Sequence, residues 1–185
     1  MNLSKFLVRL ATAAMVAGAS AQAIVMRHDV EDAKYRELGE RHRDVLVQLG
    51  LRDQDDGAPM LYNGMGTLIA EDWVVTAAHA AAHIQAHPPA HGAPHFVFVR
   101  GRGYAIAEII IHPGYDDQTQ ANDIALIRLA RPVRDARPAC LYESDDEVGR
   151  VVHMAGAGYT GNGRTGAGDS ADGALRGATI RVGGE

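Results

Sequence analysis

The sequence predicts an all-β fold, and three observations carry that reading. Short runs with strand chemistry recur through the middle of the chain, from Val45 to Leu129. Several of them alternate as half-buried strands do, with frequent β-branched residues: Tyr104, Ile106, Glu108 and Ile110 stand against Ala105, Ala107, Ile109 and Ile111. The segments between them carry Gly, Pro and Asp clusters, such as Asp53 to Pro59 and His112-Pro113-Gly114-Tyr115-Asp116-Asp117.

Taken in order, Met1 to Ala23 reads as a signal peptide. Lys5 and Arg9 charge its beginning, Leu10 to Ala19 is apolar and small, and Ala21-Gln22-Ala23 matches an A-x-A cleavage site. Its apolar part is about 10 to 12 residues, against the roughly 20 that a membrane span requires. The mature product is therefore expected to be secreted or periplasmic, with no membrane attachment. Residues 24–43 form a polar segment in which Glu31 to Leu38 is helix-compatible and Gly39 predicts the stop. That helix is expected outside the sheet core.

Six strands follow, predicted at Val45 to Leu49, Leu61 to Ile69, Trp73 to Ala77, Phe96 to Arg100, Tyr104 to Ile111 and Ile124 to Leu129. Residues 131–150 read as a polar connector. Beyond it come an apolar run, Val151 to Ala155, a Gly-rich loop from Gly156 to Gly173, and a last strand from Leu175 to Val182. Two strands make only a hairpin, which is marginal in water, so residues 151–185 are expected to be the weakest part, with an open edge.

The formal charge of −5 becomes more negative once Lys5 and Arg9 are removed with the leader, so nucleic acid is not an expected partner. Nothing in the chain points to an organic cofactor. Cys140 is the one cysteine, so no intrachain disulfide is available and the core must hold without staples.

The motifs come in a telling order. Gly66-Thr67-Leu68-Ile69 and Asp72-Trp73-Val74-Val75 lead into Thr76-Ala77-Ala78-His79-Ala80. Ile111-His112-Pro113-Gly114-Tyr115 and Asn122-Asp123-Ile124-Ala125-Leu126 follow, and Gly156-Ala157-Gly158-Tyr159 extends the series. Over residues 64–129 the chain resembles the trypsin-like (chymotrypsin-fold) serine peptidases. The resemblance implies that the six strands close a first antiparallel β-barrel over residues 44–130, and that residues 151–185 open a second. It also implies that His79 is the general base and Asp123 the carboxylate that orients it, acting on a polypeptide substrate. Imidazole suits the first role because it titrates near neutrality, and a carboxylate suits the second because it fixes the tautomer and stabilises the imidazolium that forms.

The nucleophilic serine of that family is not found. Gly168-Asp169-Ser170 repeats the start of the family's Gly-Asp-Ser-Gly-Gly motif, but Ala171 and Asp172 follow where glycines are needed to turn the backbone toward an oxyanion. Ser170 also comes too early, shortly after Gly158, and reads as a decoy in a loop where Gly, Asp and Ser are ordinary turn residues. Ser144 lies in the acidic run Glu143 to Glu147. The chain thus reads as a form truncated before its nucleophile and inactive as written.

The resemblance sets three further expectations. The family commonly joins the residue after the base to the preceding strand by a disulfide, and here those places are Ala80 and Gly64, so both partners are missing together. Cys140 is left either as a buried free thiol or as a partner for a cysteine in a further segment. Cleavage after Ala23 would expose Ile24-Val25, and the family uses such an Ile terminus for activation; Met26-Arg27 here replaces the usual glycines, and an ordinary cleavage end is the equal alternative.

Histidines at 79, 83, 87, 91 and 95 suggest a competing metal site, since i and i+4 histidines on a helix can share an ion. Pro88, Pro89, Gly92 and Pro94 limit any helix to His79, His83 and His87, and a solvated His-rich loop is the preferred reading, with no metal assigned. The leading function is therefore a serine endopeptidase acting through His79 and Asp123. The alternative is a non-catalytic, protease-derived binding module, and a metal-binding exported protein comes third.

Overall fold

The structure, a computed structural model, describes residues 25–52, 59–88, 92–164 and 166–183. The predicted signal peptide, Ile24 and His91 lie outside the described residues. The elements in chain order are β1 (Val25–Met26), α1 (Asp32–Arg41), β2 (Leu46–Arg52), β3 (Pro59–Ala70), β4 (Trp73–Thr76), α2 (Ala78–Ala86), β5 (Phe96–Val99), β6 (Arg102–Ile111), β7 (Ala125–Leu129), β8 (Val151–Gly156), β9 (Tyr159–Asn162), β10 (Gly166–Ala171) and β11 (Arg176–Arg181).

The six expected strands close a barrel in the order β2-β3-β4-β7-β6-β5, every neighbour antiparallel. Closure leaves no strand edge open in this part of the molecule. Residues of β4 and β7 alternate in and out, and Val47, Leu49, Leu68, Val74, Val97 and Ile127 are all fully buried in the barrel. Ile84 of α2 and Val133 of the connector plug the same core. Tyr104 reaches in as well, and its hydroxyl donates to Asp135 Oδ1 at 2.9 Å, so no buried polar group is left unmet at that point.

Local features set the register of β5, β6 and β7. The β5–β6 hairpin pairs Val99 with Arg102 across only Arg100 and Gly101, whose φ values are 53° and 77°, so the turn is of type I′. In β6 a bulge between Ile106 and Glu108 inserts Ala107 as an extra residue. Strict alternation along β6 therefore fails. Tyr104 and Ile106 face the core before the bulge, while Ile109 and Ile111 face inward after it.

The connector is less solvated than its composition suggests. Val133 is buried and donates its N–H to the Glu71 carbonyl at 2.7 Å, and the Ala139 N–H reaches the Leu68 carbonyl at 2.8 Å. Its Cys140 is exposed, which removes the buried-thiol reading.

Outside the barrel, β8 and β11 form an antiparallel hairpin, and β9 pairs with β10 on one side and in parallel with β1 on the other. The expected loop over 156–173 thus holds two strands. Their Gly, Asp and Ser residues are poor strand formers alone, and pairing with β1, which lies far away in sequence, supplies an order that composition does not show.

Helix α1 also departs from expectation, because it runs through Gly39 to Arg41. Gly39 serves a close approach, not a stop: a Cβ there would lie 2.6 Å from Arg176 N and Leu175 C, and one on Gly177 would lie 2.8 Å from Leu38 Cγ. Helix and hairpin meet backbone to backbone. Arg176, almost fully buried, clamps the contact by donating to Asp32 Oδ1 (2.6 Å) and to Asp172 Oδ1 (2.8 Å), and Arg36 joins the same two carboxylates. At the far end of the helix His42 Nε2 and His153 Nδ1 are 3.0 Å apart.

Candidate active site

The site sits where α2 leaves the barrel rim beside the start of β7. Helix α2 rests on the sheet through small residues: Ala78, Ala81 and Ala125 are buried together, with Ile109, Ile111 and Tyr115 packed around them. Its beginning is unusual. Ala77, the residue before it, is extended and offers no side-chain cap, so the first N–H groups need a partner from elsewhere.

Asp123 supplies it. Its Oδ1 accepts the His79 backbone N–H at 2.8 Å, and its Oδ2 lies 2.7 Å from His79 Nδ1. One carboxylate therefore caps the helix and holds the imidazole. Burial pushes the Asp123 carboxyl up, but the hydrogen bonds from the His79 backbone and ring outweigh it and leave its pKa lowered. Asp123 is ionised at neutral pH, and an ionised carboxylate can only accept. Nδ1 then carries the proton and Nε2 is left as the basic nitrogen. The His79 side chain is 48% exposed, so that nitrogen is reachable from solvent.

The segment before Asp123 is heavily tied. His112 Nδ1 accepts the Gly114 N–H at 3.1 Å, Asn122 Nδ2 donates to the Gly114 carbonyl at 2.8 Å, and Asp116 Oδ1 accepts the N–H groups of Gln118 and Thr119. The Asp123 position follows from this loop as much as from β7.

The other residues considered in the sequence are placed elsewhere. Ser144 is exposed in the connector, and Ser170 lies on β10, in the sheet with β1 and β9 and not on the barrel strands that frame His79. His79 and His83 are on α2 and His87 ends it, so this stretch is helical where a His-rich loop was preferred. The His83 and His87 rings stand 4.2 Å apart, and His87 Nδ1 is bonded to the His83 carbonyl at 2.8 Å. Among the described residues no group of three or more His, Cys, Asp or Glu side chains is arranged to hold a metal ion. Ala80 and Gly64 do come together: a Cβ on Gly64 would lie 3.6 Å from Ala80 Cβ, the separation of a disulfide's β-carbons, and 2.9 Å from Leu49 Cδ1. The Leu49 methyl packs against Gly64 at this point. Sequence reasoning passed over Asn122 as a residue with a job of its own, although its place next to Asp123 was visible.

A family model described as Trypsin matches residues 41–182. Among curated proteins, the chain is 37% identical over 68 residues to a trypsin of Simulium vittatum, covering 37% of this chain and 28% of that protein. It is 33% identical over 107 residues to a trypsin of Phaedon cochleariae, covering 52% and 41%. Complement C1s subcomponent of Sus scrofa is 33% identical over 111 residues, covering 51% of this chain and 16% of its own length. The matches thus span well under two thirds of these relatives. Among solved structures, neuropsin, a serine protease expressed in the limbic system of mouse brain, superposes with a TM-score of 0.54 at 20% identity, covering 77% of this chain and 60% of that one. That likeness is one of fold.

Proposed function

This chain belongs to the trypsin family, and from that premise we propose that it serves an exported serine endopeptidase, with His79 as general base and Asp123 as its orienting carboxylate. The observation that carries the reading is the paired contact of Asp123 with the His79 backbone and Nδ1 at 2.8 and 2.7 Å on the barrel rim. It leaves Nε2 as the nitrogen available to a reacting group.

In the proposed reaction a serine hydroxyl on the Nε2 side attacks the scissile carbonyl of a polypeptide while Nε2 takes its proton. Asp123 stabilises the imidazolium as the tetrahedral oxyanion forms. The imidazolium then passes the proton to the leaving amine, and water, activated by the same nitrogen, releases the acyl group. Neither Ser144 nor Ser170 is assigned as that hydroxyl, so residues 1–185 by themselves are expected to give no turnover. Labelling of Ser170 by a serine-directed phosphonate would overturn that assignment. Export rests on the leader-like sequence of residues 1–23, and among the described residues no helix is long and apolar enough to cross a membrane.

The test is cleavage of a peptide library by the natural gene product. His79→Ala is expected to abolish cleavage, and Asp123→Asn to lower kcat by about 10⁴-fold, the loss known for that change in this family. Cleavage that survives His79→Ala would sink the proposal.

A further inference from the structure

We propose that Asn122 is a positioning residue for the Asp123–His79 pair and that Gly114 is its anchor; the inference rests on the function proposed above and deepens it. Three observations converge on Asn122. Its backbone is left-handed, with φ of 54°, a conformation that asparagine tolerates and most residues resist. Its carbonyl accepts the Ile124 N–H at 2.7 Å, which closes a three-residue turn with Asp123 at its centre. Its side-chain amide donates to the Gly114 carbonyl at 2.8 Å.

Together these fix where the Asp123 side chain leaves the backbone. The turn alone sets the direction of residue 123, but a tight turn at the end of a loop can still rock as a unit. The amide tether stops that by tying it to the His112–Tyr115 turn, itself closed by the Tyr115 N–H to the His112 carbonyl at 2.9 Å and the Gly114 N–H to His112 Nδ1 at 3.1 Å. The approach is tight: a Cβ on Gly114 would lie 3.2 Å from Asn122 Nδ2 and would push the amide back by a few tenths of an ångström. Asp123 must satisfy two donors at once, the His79 N–H and Nδ1–H. A carboxylate that rocks keeps one bond at the expense of the other, so the tether governs the imidazole more than it governs the fold.

The test uses the full chain and needs no turnover. In ¹⁵N-histidine NMR the unaltered protein is expected to show His79 as the Nδ1–H tautomer with a slowly exchanging proton. Asn122→Gly keeps the left-handed backbone and removes the tether; Gly114→Ala keeps Asn122 and crowds the tether. Both are expected to speed exchange of the Nδ1 proton about five- to tenfold, the factor one ordinary net hydrogen bond represents, and to raise the Asp123 carboxyl titration midpoint. Amide protection across β3 and β4 should stay as it was. Unchanged Nδ1 exchange and an unchanged Asp123 midpoint in both variants would overturn the inference, as would equal loss of protection throughout the barrel, which would mark a merely structural role. An Nε2–H tautomer in the unaltered protein would instead remove the general-base reading itself.

Discussion

The barrel of β2 to β7 and the hairpin of β8 and β11 are both antiparallel, but they are held by different forces. In the barrel, Val47, Leu68 and Ile127 are fully buried, each worth about 1.5–3 kcal/mol of apolar burial. In the hairpin, Val151, Met154 and Ile180 remain 55%, 51% and 47% exposed. What docks the hairpin is a glycine contact with α1 and the Arg176 guanidinium between Asp32 and Asp172. Closure makes apolar side chains cooperate, whereas an open two-stranded sheet must borrow stability from charges and from a neighbouring helix.

Three measurements sharpen that contrast. The largest effect is expected from Leu68→Ala, which opens a cavity in the closed core and should cost about 2–5 kcal/mol of global stability by denaturant unfolding. A loss under about 1 kcal/mol would mean that the barrel is not a cooperative unit. Next comes Arg176→Met, which keeps the length of the side chain and leaves both aspartates without their buried partner. Breaking a buried pair costs about 3–5 kcal/mol, and since both carboxylates are some two-fifths exposed, about 2 kcal/mol is expected. Hydrogen exchange should show that loss in β11 and α1 while β3 stays protected.

The smallest effect is that of acid. The hydrogen bond from Arg176, then that from Arg36, holds the Asp32 carboxyl down to about 2, and Arg176 holds Asp172 lower still. A depressed carboxyl contributes stability that is complete above its unfolded value of about 3.9 and is lost as pH falls through its folded value. The α1–β11 amides should therefore lose protection between about pH 4 and pH 2 before those of the barrel do. Simultaneous loss would show one cooperative unit.

Much of the barrel was legible because its strands alternate and β-branched residues line them, and every one of the six predicted runs lies on a strand, with bounds moved by a few residues. The bulge at Ala107 was not, since a single inserted residue reverses which face is buried without changing composition. Gly39 misled because glycine marks both helix ends and close contacts, and only the position of Leu175 and Arg176 tells which. At the candidate site, the flanking motifs singled out His79 and Asp123 as a pair to examine, and the structure brings the two side chains together. Their meeting through both a backbone N–H and a ring nitrogen was not legible, because Ala77 carries no cap and the acceptor lies 44 residues away.

Where Gly64 approaches Ala80, neither residue carries a sulfur that could bridge them. The helix carrying His79 is held by the packing of Ala78, Ala81 and Ile84 and by the Asp123 carboxylate, with no covalent tie. Its attachment cannot be cut by a thiol reductant, and it needs no oxidant to form, so the geometry around the imidazole is indifferent to the redox poise of its surroundings.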